Sequence, residues 1–151
     1  MPQQINRVKS AQQNLVDLIN TGSTYVFTGS EFTIGAPANY VPTAPETSNT
    51  ELLLSAVAGS GFVGFKSIKY RRLALGATRP GARLQYNVGA EDTLETLKEA
   101  IAQEHNLVSS DFDLQGQWPI QGGAAAEFTL TAIPDSLLYT GAINVSVVFP
   151  A

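Results

Sequence analysis

The chain has 151 residues, 44% hydrophobic and 15% charged, with nine Lys and Arg against thirteen Asp and Glu for a net charge of −4. That length fits one domain, residues 1–151, able to bury roughly 70% of its unfolded surface, and the acidic balance, with a pI of about 4.8, argues against general nucleic-acid binding. There is no cysteine, which excludes disulfides and thiolate metal sites, and no apolar run approaches the roughly 18 residues of a membrane helix.

The charged share falls below the roughly 25% usual for soluble domains, and Thr, Ser, Asn, Gln and Gly fill the gap. Such a neutral surface suits a protein packed against neighbours; it also suits ordinary polar strands. Met1 to Arg7 lacks the apolar core of a signal peptide, so synthesis and residence in a cytoplasm are expected until assembly or release.

In chain order, Ile5, Val8, Leu15, Leu18 and Ile19 share one helical face, which predicts a helix over residues 3–19 stopped by Asn20-Thr-Gly22. Tyr25-Val-Phe27 and Phe32-Thr-Ile34 are short β-prone runs about Gly29-Ser30. Pro37, Pro42 and Pro45 deny regular structure to Gly35–Thr50 and predict an extended surface loop, either a plain connector or an arm crossing to a neighbour.

Glu51–Leu75 is the stretch around which the chain is organised: two apolar runs flank Gly59-Ser60-Gly61, a hairpin signal. Its second strand changes parity, since Ile68 and Tyr70 share a face while Leu73 and Leu75 take the other. Either a bulge lies near Arg71-Arg72 or the strand crosses the core. Lys66, Lys69, Arg71 and Arg72 make this the densest basic segment. With the three prolines they are the candidate interface residues.

Leu84–Val88 predicts a short strand after the Arg79-Pro-Gly81 turn. A helix is predicted over residues 92–107, with Asp92 and Glu95 as a capping box and Leu94, Leu97, Ile101 and Val108 as the buried stripe. Ser110–Asp113 reads as one helical turn, and Trp118-Pro119 as the aromatic anchor of a loop. A final hairpin, 127–149, repeats the first. Glu127, Leu130, Ala132 and Ser136 follow Glu51, Leu54, Ala56 and Ser60 by 76 positions, and Gly141 and Val145 follow Gly64 and Ile68 by 77.

Catalytic constellations are thin. His105 is the single histidine, at a helix end, with no base–nucleophile partner pattern and no second metal-type ligand beside it. Gly59, Gly61 and Gly64 fit Gly-x-Gly-x-x-Gly in letters, but a strand follows where a dinucleotide site needs a helix. Asp111, Asp113 and Glu104 lack the spaced ligand run of a calcium loop. No enzyme activity, cofactor or metal is expected.

Several segments together resemble a family of small structural proteins in the particles of large tailed bacteriophages. They are Leu18-Ile-Asn20, Phe32-Thr-Ile-Gly-Ala-Pro37, Asn49-Thr-Glu-Leu-Leu-Leu54, Ala58-Gly-Ser-Gly-Phe-Val-Gly64, Tyr70-Arg-Arg-Leu73, Asn106-Leu107 and Leu130-Thr-Ala132 followed by Asp135-Ser-Leu-Leu-Tyr-Thr-Gly141. The resemblance implies a non-catalytic virion component made in the bacterial host cytoplasm, in contact with other virion proteins and copies of itself, with no nucleic acid or membrane partner. Arg71-Arg72 departs from it in being more basic. Tail or baseplate is favoured over a capsid-decorating, head or neck position. The competing class is a carbohydrate-binding β-domain using Trp118, Tyr40 and Tyr25 as stacking platforms. The expected fold is α+β: an antiparallel sheet or sandwich of two equivalent hairpins with two packed helices.

Overall fold

The computed structural model describes residues 5–77, 84–86, 89, 91–118 and 125–149. Helix α1, Ala11–Thr21, begins later than its apolar pattern suggests, because Ser10 takes the N-cap and accepts a bond from the Gln13 N–H. Ahead of it, buried Asn14 holds a turn: its amide donates to the Asn6, Lys9 and Ser10 carbonyls and accepts from the Asn6 N–H. That turn turns Val8 outward to 77% exposure and sends Ile5 to a different hydrophobic cluster from Leu15 and Val16.

The first sheet contains β1 (Phe32–Ile34), β2 (Ala38–Asn39), β3 (Thr50–Ala56) and β4 (Phe65–Tyr70). β3 lies at its centre, with β4 on one side and β1 and β2 on the other, all antiparallel. The first hairpin is therefore 50–70 rather than 51–75. Tyr25-Val-Phe27 forms no strand, while the proline-rich segment contains β2 and folds back on its own sheet.

After Tyr70 the chain crosses to β5 (Leu73–Ala74) and a 3-10 turn, Leu75–Ala77, so the parity change marks a crossing rather than a bulge. β6 (Leu84–Gln85) leads to α2 (Leu94–His105), whose capping box is Thr93 with Thr96. Asp92, one residue earlier, instead accepts the Gly89 N–H at 2.5 Å. Residues 87 and 88 of the predicted Leu84–Val88 strand lie outside the described residues, as does Pro119.

A second 3-10 turn, Ser109–Asp111, runs directly into β7 (Phe112–Gln115). β8 (Ala125–Ala132), β9 (Tyr139–Thr140) and β10 (Ala142–Val148) complete the fold. The second sheet runs β6-β10-β8-β7; β6 is parallel to β10 and the other pairs are antiparallel. β5 and β9 form a parallel two-stranded link. Among the described residues the class is α+β, with two α-helices and several antiparallel pairings.

Pairing registers correspond between the hairpins. Leu54 faces Lys66 and Leu52 faces Ile68; Leu130 faces Ile143 and Phe128 faces Val145. The Ala56 N–H meets the Gly64 carbonyl at 2.9 Å, and the Ala132 N–H meets the Gly141 carbonyl at the same distance. Gly64 and Gly141 both have positive φ, at 81° and 75°, which an L side chain resists.

The buried apolar side chains form two clusters. Leu15 and Val16 pack with Phe32, Leu52, Leu54 and Tyr70, while Leu97 and Ile101 pack with Phe112, Phe128, Val147 and Phe149. Burying each such side chain contributes about 1.5–3 kcal/mol. Leu137 packs against both clusters. Gly116 lies so close to Phe128 that a Cβ would stand 2.2 Å from the ring.

Candidate functional site

An open groove of about 970 Å³ lies between the C-terminal half of α1, the loop that follows it, and β4. Leu54, Ile68 and Tyr70 supply its sheet side, and Leu18 and Ile19 its helix side. Phe62, Val63 and Phe65 form an exposed apolar rim, Val63 at 96% and Phe65 at 78%. Phe62 anchors that rim through ring contacts with Tyr25 (5.2 Å) and Phe27 (5.5 Å), and Phe27 reaches the buried Phe32 at 5.6 Å. The aromatic letters in residues 25–27 and 62–65 were visible, but their meeting depends on two loops folding together.

Lys66, Lys69 and Arg71 line this groove. Lys66 and Arg71 are exposed and, among the described residues, engage no hydrogen bond or ion pair. Lys69 donates to the Tyr40 hydroxyl at 3.0 Å and sits 4.3 Å over that ring, while Tyr40 donates to Glu46 at 2.9 Å. The Tyr40 hydrogen bond is the main reason the Lys69 ammonium lies above its ordinary value. Glu31 also lines the groove, but its carboxylate is used at home: it accepts from the Thr28 and Gly29 N–H groups and the Thr28 hydroxyl. Those bonds, Thr28's backbone first, hold it below the usual carboxylate range.

Arg72 is not part of this surface. It is buried, with Nε donating to Thr50 Oγ1 at 2.9 Å, Nη1 to the Ser136 carbonyl at 3.0 Å and Nη2 to Asn39 Oδ1 at 3.0 Å. Three neutral acceptors compensate the desolvated guanidinium, and one of them belongs to the loop between β8 and β9. Tyr70 makes a parallel connection, donating to the Leu137 carbonyl at 2.8 Å. The prolines stand apart from the groove as well: Pro37 and Pro42 are half-buried and Pro45 is exposed, on a loop pinned by the Tyr40 N–H to Asn49 bond. Thr47 and Ser48 are the parts of that loop that reach the groove.

Tyr25, Tyr40 and Trp118 do not converge. Tyr25 packs on Phe27, Tyr40 carries Lys69, and Trp118 stands edge-on to Phe149 at 6.4 Å in the other cluster. Asp111 is buried and its Oδ2 accepts from both the Ser136 hydroxyl at 2.5 Å and the Leu138 N–H at 2.9 Å, so this oxygen organises a turn. His105 Nε2 is enclosed with no hydrogen-bond partner among the described residues. No group of three or more His, Asp or Glu side chains among those residues could hold a metal ion.

The arrangement thus joins an exposed apolar rim to the cations Lys66, Lys69 and Arg71 along one groove. No curated protein and no solved structure matches the chain. A family description does match, over residues 5–150, and by that match the chain belongs to the family of unknown function DUF7941.

Proposed function

We propose that this protein is a non-enzymatic structural component of a bacteriophage particle, acting through contacts between subunits. Tail or baseplate is the favoured position over capsid decoration. The observation that carries the subunit-contact reading is the groove: an exposed apolar rim and unpaired cations beside β4, where a catalytic site would need converging acid–base groups. The particle assignment rests on the segments from Leu18 to Gly141 that resemble virion proteins. The shared registers of the two hairpins support a further reading, that the molecule is built from two equivalent units.

Mass spectrometry of purified particles, with copy number measured against the major capsid protein, tests the assignment. Presence at a fixed multiple of a symmetry-related number is expected; absence from intact particles overturns it. Incorporation of Lys66→Glu with Arg71→Glu should fall at least tenfold while the purified variant stays folded. Pairing Arg71→Glu with Arg72→Glu would be uninformative, because Arg72 is an interior residue.

A further inference from the structure

β4 has β3 as its only strand neighbour among the described residues. Tyr70's carbonyl bonds the Asn49 N–H on the β3 side, and strand groups alternate sides, so the main-chain groups of Phe65, Ser67 and Lys69 face outward. The corresponding edge of β10 is covered: β6 lies parallel to it, and the Tyr86 N–H bonds the Val148 carbonyl at 3.0 Å. β1 and β2, on the far side of β3, and β6, beyond β10, also have one strand partner each but carry no acidic strand residue facing solvent, whereas β7, paired with β8 alone among the described residues, exposes Asp113 and Gln115. An open strand edge is a template for another strand.

Charge tells the β4 and β7 edges apart. Residues 1–75 hold six Lys and Arg against four Asp and Glu, a net +2; residues 76–151 hold three against nine, a net −6. β4 carries Lys66 and Lys69 with Arg71 just beyond it, while β7 carries Asp113, with Glu127 exposed on the neighbouring β8. Two β4 strands paired antiparallel would set these cations against one another, which is unfavourable.

We propose that this protein self-associates head to tail, the basic β4 edge of one copy joining the acidic β7 edge of the next. Such a contact is heterologous, so it propagates into a ring or a filament instead of stopping at a dimer. The apolar rim of Phe62, Val63 and Phe65 lies at the start of β4 and would be covered as the sheets become continuous. This rests on the groove being an assembly surface and names the chemistry it meets.

The test uses the purified full chain in analytical ultracentrifugation. Wild type should form species larger than a dimer at low salt and shift toward monomer in 0.5 M NaCl, where exposed charges are screened within about 4 Å. A head variant, Lys66→Glu with Arg71→Glu, and a tail variant, Asp113→Lys with Glu127→Lys, should each associate at least tenfold more weakly, with far-UV circular dichroism unchanged. Mixed one to one, their swapped charges are complementary again and large species should return. A tail variant that assembles like wild type, a wild type that stays monomeric, or a mixture that does not recover overturns the proposal. Should the chain stay monomeric yet appear in particles, only this inference fails; should it assemble yet be absent from them, only the particle assignment fails.

Discussion

Arg71 and Arg72 are adjacent and chemically identical, yet one is solvent-facing and the other interior. Removing the Arg72 guanidinium takes the donor from the buried Thr50 hydroxyl and Ser136 carbonyl, while the exposed Asn39 can turn to water. Arg72→Ala is expected to cost about 2–4 kcal/mol, as for other losses of charged, buried hydrogen bonds. Arg71→Ala should change stability by less than about 0.5 kcal/mol. Arg72→Lys should not restore the loss, since a single ammonium cannot reach three acceptors spread around a planar fork. Urea denaturation of the three variants measures all of this, and equal effects at both positions would contradict the assignment.

Elements are tied to one another through two tyrosines. Tyr70 ends β4 and donates to Leu137; Tyr139, in β9, accepts the Val108 N–H at 2.9 Å. Burial pushes the Tyr139 hydroxyl up to about 12, partly offset by the Val108 bond, and burial moves Tyr70 in the same direction. The unfolded chain loses these protons near pH 10, so above that pH it binds fewer protons than the folded chain. Stability contributed by the neutral hydroxyls is therefore fully present below pH 10 and declines as pH rises toward 12. Urea midpoints taken from pH 8 to 11.5 should show that decline. Tyr139→Phe should be less stable at pH 8, where the Val108 N–H loses its acceptor, and should lose less on going to pH 11.5. A decline as steep in the variant would remove Tyr139 from this account.

At the scale of the molecule, the connections between the two hydrophobic clusters among the described residues include Arg72 to Ser136, Tyr70 to Leu137, the β5–β9 pairing, and Leu137 packed on both sides. The Arg72–Ser136 bond is buried and the Tyr70–Leu137 bond partly so, and the clusters are expected to melt together, with calorimetric and van't Hoff enthalpies in agreement. Combining Arg72→Ala with Tyr70→Phe should separate the melt into two transitions, because each cluster keeps its own helix and sheet. Two transitions in the wild type would mean that the connections contribute little.

The sequence by itself determined the features that rest on neighbouring residues. The Leu94, Leu97 and Ile101 spacing marks α2 to within two residues and glycines mark both hairpins, whereas the apolar stripe starts α1 eight residues early and the Asp92–Glu95 capping box falls one residue before the Thr93–Thr96 box that forms. The 76- and 77-residue offsets likewise reappear as matching pair registers. β7 replaces the second half of the helical turn expected over Ser110–Asp113, because Phe112 and Leu114 alternate over only four residues, too few to distinguish a strand from a turn. What only the tertiary structure decided is where chain-distant groups meet. Whether an arginine is inside or outside depends on acceptors at positions 39, 50 and 136, and whether a strand edge is open depends on which other strand arrives to cover it. Local sequence specifies a side chain's chemistry; its solvation, and with it its role, is set by residues tens of positions away.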